Sequence, residues 1–249
     1  MISRYTQPAE LIKEFKEDRE RARYWRKKMM AKEGRGSKSF NNFKSAFFSS
    51  KEDKRSQVFE YNSPQTGNQW LVWWRFISRG YGILPEMREY EVLYRMLDKT
   101  MEVMVPTRMV QEDGSIKRGV SIYTDHLFQR LSQEDRLGVD LSDRKTVIKN
   151  FIEIAVLGLI DIRDPRPGEC NKQVISRLPK SFLKGHYIPV GDSYIIRFNT
   201  FIPEKTMTPS QWRFVKSFAK IADEFKAGGS KSDFFEMQES SYINEHKQK

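Results

Sequence analysis

The stretch that most restricts what this chain can fold into is Gln69-Trp-Leu-Val-Trp-Trp-Arg-Phe-Ile-Ser78. At a period of two, Trp70, Val72 and Trp74 fall on one face, and Leu71, Trp73 and Phe76 lie near the other. A strand that is apolar on both faces has to be covered on both. The fold therefore needs a sheet with material packed against each side. Val58-Phe-Glu-Tyr61 and the loop Asn62 to Asn68 precede it, which makes it the second strand of a hairpin. Tryptophans this dense can also line a binding site. Core packing is the reading adopted, because large aromatic rings contribute most when buried.

The pattern continues towards residue 123. Arg88 to Asp98 fits strand or helix, and periodicity leaves the choice open. Met101 to Val110 is rich in β-branched residues and predicts a strand, with Pro106 marking an edge or a bulge. Glu112-Asp113-Gly114 is a turn signal and Ser115 to Tyr123 the returning strand. Thr124 or Asp125 caps a short helix ending near Gln133, with Leu127, Phe128 and Leu131 on its apolar side. Ser142 caps a second helix, with a wide stripe through Val147, Ile148, Phe151, Ile152, Ala155 and Leu159, stopped at Gly158. Asp164 to Gly168 is a loop, and Val174 to Phe182 carries no decisive pattern. Gly185 to Val190 and Ser193 to Ile202 predict a hairpin turning at Gly191-Asp192. Thr208-Pro-Ser-Gln211 is a capping box for a last helix, lined by Trp212, Val215, Ala219 and Ala222 and closed by Ala227-Gly-Gly229.

The fold class predicted is α+β: an antiparallel β-meander preceded by a charged N-terminal helix and followed by a helix-helix-β-hairpin-helix unit. The divisions are a charged helix and flexible linker over 1–56, the meander over 57–123, the helix-helix-β-hairpin-helix unit over 124–229, and a polar tail over 230–249. Residues 123–136 join the β half to the helical half.

The N-terminal helix runs from Pro8 to about Glu33, with proline at its first turn and Thr6 or Gln7 before it. Its apolar stripe, Leu11, Phe15, Ala22, Trp25 and Met29, is narrow, and nearly every other position is charged. One reading is a solvated helix docked by one edge. The other makes Arg23, Arg26, Lys27 and Lys28 a phosphate-binding end or a protein contact. Between Gly34 and Lys54, glycines, serines and lysines alternate with Phe40, Phe43, Phe47 and Phe48, rings that either anchor a linker or stack on bases.

Composition narrows the function. The net charge is +11, which favours an acidic partner, nucleic acid before an anionic membrane. RNA is the favoured partner over DNA, with no membrane role. Charged residues are 31% of the chain, but aromatics at 13% argue against wholesale disorder. Cys170 is the single cysteine, which excludes an intramolecular disulfide and a cysteine-rich zinc site. The run Phe151 to Ile162 is interrupted by Glu153, Gly158 and Asp161 and is too short and polar to span a bilayer. A cytoplasmic place follows, in the producing cell or a host cell, with association to a virion as a variant of it.

No P-loop, dinucleotide fingerprint, HExxH, EF-hand or GxSxG motif occurs, so no cofactor and no metal is expected. Asp140 to Asp143 and Asp161 to Asp164 are acidic clusters best read as cap and loop chemistry. Metal-independent RNA cleavage stays open. It needs a base, an acid and cations around a pentavalent phosphate. His126 and Arg130 stand at i and i+4 on one helix face, the candidate catalytic pair. Arg136, Lys184, His186, Arg197 and Thr200 are the candidate substrate-binding residues. The competing reading is structural: His126 bonds the meander and Arg130 pairs with a carboxylate such as Glu134.

His126-x-x-x-Arg130 on a helix, a second helix, and a hairpin ending in Phe198-Asn-Thr-Phe-Ile202 resemble the RelE/colicin-type ribonuclease toxin fold. The same features resemble uncharacterised proteins of bacterial genomes and mobile elements. The resemblance covers residues 120–225. It implies that His126 and Arg130 match the helical pair, and Arg197 and Thr200 the late-strand positions facing the cleft. The chain departs from such toxins in its long N-terminal addition. Two functions follow as expectations: a basic nucleic-acid-binding protein acting as a metal-independent endoribonuclease, or a non-enzymatic nucleic-acid-associated or structural component of a phage or mobile element.

Overall fold

The computed structural model describes residues 7–33, 58–77, 86–97, 100–111, 113–133, 138–155, 160–164, 170–178, 181–209 and 212. Among the described residues, nine strands form one sheet, with helix α1 (Pro8–Glu33) on one face and α2 (Asp125–Ser132) and α3 (Arg144–Ala155) on the other. The strands are β1 (Phe59–Asn62), β2 (Gln69–Ile77), β3 (Glu86–Leu97), β4 (Thr100–Val110), β5 (Ile116–Tyr123), β6 (Ile160–Arg163), β7 (Lys172–Leu178), β8 (Ser181–Val190) and β9 (Ser193–Pro203). Their order across the sheet is β1-β2-β3-β4-β5-β9-β8-β7-β6. Every neighbouring pair is antiparallel except β5 and β9, which run parallel with Tyr123 opposite Phe198. That parallel seam carries hydrogen bonds straight across residue 123, so the β half and the later strands are one sheet.

Strand β2 organises the packing. Trp70, Trp73 and Trp74 are all fully buried. Each buried indole N–H must find an acceptor, and each finds a carboxylate on a different element. Trp70 donates to Asp18 of α1 at 2.8 Å, Trp73 to Glu153 of α3 at 3.0 Å and Trp74 to Glu89 of β3 at 3.2 Å. Because side chains alternate, one strand holds a helix on each side of the sheet. Around Trp70, the α1 face gathers Leu11, Ile12, Phe15, Leu93, Met104, Ile122 and Ile195. Around Trp73, stacked on Tyr90 at 5.0 Å, the other face gathers Val92, Val103, Tyr123, Phe128, Phe151, Ile196 and Phe198.

Several elements differ from the sequence pattern or settle what it leaves open. Arg88 to Asp98, left open, is strand as far as Leu97; its α1-facing positions Glu89 and Glu91 are acidic, which blurs the alternation. The helix-helix-β-hairpin-helix unit has two further strands, β6 and β7, between its second helix and its hairpin. β8 begins at Ser181, earlier than Gly185. The cap of α3 is Asp143, whose Oδ1 accepts the Thr146 N–H at 3.2 Å, while the Ser142 hydroxyl turns back to Asp140. Thr124 precedes α2 but uses its hydroxyl to reach the Phe198 carbonyl at 3.1 Å. Pro106 sits in an interior strand, two residues beyond the last β3–β4 pair, Leu93–Met104, so its missing N–H falls outside the ladder to β3. The last helix is represented by the bond from the Trp212 N–H to the Thr208 carbonyl; its continuation, like Phe40 to Phe48 and the polar tail, falls outside the described residues.

Candidate functional site

His126 and Arg130 are placed by α2, a short helix pinned to the sheet by Leu127, Phe128 and Leu131. Burying those three positions turns the face bearing His126 outward, and His126 is exposed. The Arg130 Nε–H donates to His126 Nε2 at 3.4 Å, as i,i+4 spacing allows. The histidine is thus not sealed under the meander. Arg130 meets the histidine, and Glu134, the carboxylate expected to pair with it, lies outside the described residues. Arg136 lies outside the described residues.

The other four candidates come together, but elsewhere. On β9, Tyr194, Ile196, Phe198 and Phe201 point into the core shared with α2 and α3, while Ile195 points to the α1 side. Alternation puts Arg197 with Ile195. Cross-strand pairing sets His186 opposite Arg197 and Lys184 opposite Thr200. A β-bulge between Lys184 and Gly185 inserts Asn199, which keeps Phe198 and Phe201 on the inner face and leaves Lys184 and Thr200 on the α1 side. Gly185 makes this close approach feasible: a Cβ there would stand 2.1 Å from the Arg197 carbonyl oxygen. Lys184, His186, Arg197 and Thr200 therefore form a two-by-two patch on adjacent strands, all part-exposed. The sheet lies between this patch and the His126–Arg130 pair. The single catalytic cleft that would unite all of them is not formed by these positions.

Arg197 has a structural commitment as well. Its Nη2 lies 3.7 Å from Glu102 Oε2, and Glu102, with its side chain 4% exposed, is also bound by Arg95. The patch is basic at its surface and anchored by a buried carboxylate below.

A second polar surface was missed in the sequence reading. Near the C-terminal half of α1, Tyr24, Trp25 and Lys28 meet Tyr61 of β1 around an open groove of about 450 Å³. The signal available in the sequence was the aromatic pair Tyr24-Trp25 inside the basic run Arg21 to Lys28, but the partner Tyr61 lies far along the chain. On the same helix Arg26 is bound to Glu89 and Arg23 to Glu20, so neither is a free phosphate ligand.

Among the described residues, no three His, Cys, Asp or Glu side chains cluster so as to hold a metal, and no helix is long and apolar enough to cross a membrane. Cys170 is exposed and forms no disulfide. Comparison with protein-family models, curated proteins and solved structures finds no match to this chain.

Proposed function

We propose that this chain binds nucleic acid, RNA in preference to DNA, as a non-enzymatic component, with the strand-borne patch Lys184, His186, Arg197 and Thr200 as a phosphate-binding surface. The observation that carries the reading is the register of β8 and β9. It sets Lys184 and His186 at i and i+2 on β8, roughly 6–7 Å apart, with Thr200 and Arg197 directly across. Phosphates along a single strand recur at a comparable step. Hydroxyl and guanidinium donors together suit phosphate oxygens, and a chain of net charge +11 adds long-range attraction.

Binding of a labelled RNA, followed as a function of salt, tests this. Wild type binds with affinity that falls steeply as salt rises. Arg197→Ala and Lys184→Ala each lower the slope of log K against log salt by about 0.7, the value for one phosphate contact on a single strand. Absence of binding to RNA and DNA at low salt refutes the reading.

A second reading, metal-independent ribonuclease of toxin type, is favoured by one observation: His126 is exposed with a guanidinium adjacent. Wild type and His126→Ala are incubated with labelled RNA in EDTA. Cleavage by wild type that is lost in the variant supports it. An intact substrate with both proteins, at concentrations where binding is saturated, removes it and leaves the binding function standing.

A further inference from the structure

We propose that the groove between α1 and β1 is a stacking site for an unpaired base of single-stranded nucleic acid. The inference rests on the nucleic-acid reading above and adds a second contact surface, distant in sequence from the β8–β9 patch. The groove is lined by aromatic rings and cations together. Trp25 and Tyr61 stack at a centroid distance of 5.2 Å and an interplanar angle of 25°. Tyr24 is 63% exposed, a large ring left to solvent although the helix has a buried stripe available. The Lys28 ammonium sits 4.7 Å from the Tyr24 ring centroid. The volume of about 450 Å³ is within the range of small-molecule sites and accommodates a nucleotide.

Charge decides which planar or cationic ligand fits. Three aromatic rings beside Glu20 also describe a cage for a quaternary ammonium ion. Glu20, however, is already paired with Arg23 at 2.7 Å. Two cations line the same groove: Lys28, and Arg21, which also stands 3.4 Å from the Asp18 carboxylate. A cationic ligand would meet that repulsion, and Lys28 already occupies a cation's place over Tyr24. A base carrying a phosphate meets the opposite: rings for its π-face and the Lys28 ammonium for its phosphate. The stacking needs an unpaired base, so single strands are selected over duplexes.

The test uses the full chain, with anisotropy of a labelled oligouridylate and of the same strand in duplex. Tyr24→Ala is expected to weaken single-strand binding about fivefold to hundredfold, the span of one base–aromatic contact, with a smaller effect on the duplex. Tyr24→Phe retains wild-type affinity because the ring remains. Lys28→Gln lowers the salt slope by about 0.7. Far-ultraviolet circular dichroism verifies each fold, and Tyr24 is exposed enough that its removal spares the core. Unchanged single-strand affinity in Tyr24→Ala, with wild type binding well, overturns the groove and leaves the β8–β9 reading intact. Failure of wild type to bind any nucleic acid at low salt overturns both. Selective binding of a trimethyl-lysine peptide that Tyr24→Ala abolishes, with RNA binding unaltered, assigns the groove to a cation instead and overturns the proposal.

Discussion

Asp18 fastens α1 to the sheet, and its removal should be among the most damaging single changes to the chain. Its side chain is fully buried. One oxygen accepts from the Ser63 hydroxyl at 2.6 Å and the Thr66 hydroxyl at 2.9 Å; the other accepts from the Trp70 indole N–H at 2.8 Å. Arg21 Nη1 stands 3.4 Å away. Asp18→Ala deletes all of these and leaves a buried indole N–H without an acceptor. Hydrogen bonds to a charged group contribute roughly 1.5–3 kcal/mol each, and an orphaned buried donor costs roughly 1–3 kcal/mol. Relief of the carboxylate's desolvation offsets part of the sum. A net loss of about 3–5 kcal/mol remains, a large share of the roughly 5–15 kcal/mol typical of a folded domain. Urea unfolding followed by circular dichroism should show a midpoint lowered by more than about 1 M with little change in slope.

The pH dependence provides an independent check. Burial by itself raises the Asp18 pKa, but hydrogen bonds from Ser63, Trp70, Thr66 and Asn68 outweigh it and hold the carboxyl below its ordinary 3.8. A carboxyl with a lowered folded pKa contributes stability in full above its unfolded value and loses it as pH falls through the folded one. The wild-type protein should therefore weaken below about pH 4, and Asp18→Asn, with nothing to titrate there, should show a flatter acid limb. A loss under about 1 kcal/mol in Asp18→Ala, or an acid limb identical in Asp18→Asn, refutes the assignment of Asp18 as the anchor of α1.

Two further perturbations probe the β8–β9 patch. Gly185→Ala forces a Cβ to within 2.1 Å of the Arg197 carbonyl oxygen and 2.8 Å of the Phe198 Cα, so the bulge must open; a loss of about 3 kcal/mol or more is expected from overpacking against backbone, and a urea midpoint like wild type's would show that the two strands are not so close. Glu102→Gln removes the buried charge that Arg95, whose side chain is 13% exposed, and Arg197 both face, and should cost about 3–5 kcal/mol by the same measurement. Arg197→Ala, removing the more exposed partner at 3.7 Å, should cost under about 1 kcal/mol, and a larger loss would make Arg197 structural rather than a phosphate ligand.

How much of this was legible in the sequence depended on which residues carried the apolar pattern. β2 could be read because both of its faces are apolar, and α1 because Pro8 and the stripe through Leu11 and Phe15 mark it. β3 could not be assigned because Glu89 and Glu91 occupy positions facing α1, where Arg26 and Arg19 meet them. A pattern of polar and apolar residues treats such positions as solvated. The same blindness hid the role of Asp18 in a helix that looks charged on most sides. β6, four residues long, is too short for periodicity to detect. The parallel seam between β5 and β9 joins segments about 75 residues apart, and no local pattern encodes that pairing. At the candidate site, the i,i+4 relation of His126 and Arg130 was legible because it is local. The position of Arg197 on the other side of the sheet was not, because it depends on strand register and on the bulge at Gly185.

That separation follows from the tryptophan strand itself. Trp70 commits one face of the sheet to α1, and Trp73 commits the other to α3. The centre is closed on both sides, so ligand-accessible chemistry is displaced to where the cover ends. Three such places exist among the described residues: the outer face of α2, the α1 side of β8 and β9, and the groove where α1 passes β1. The last two belong to the same side of the sheet, since Tyr61 and Ile188 pack against the α1 core together. A single extended strand of nucleic acid can follow one side of a sheet; reaching His126 as well requires it to pass around an edge. Loss of binding in Tyr24→Ala and in Arg197→Ala, but not in His126→Ala, is the pattern that this geometry demands of a binding protein. Equal sensitivity at His126 would instead require a ligand that wraps both faces.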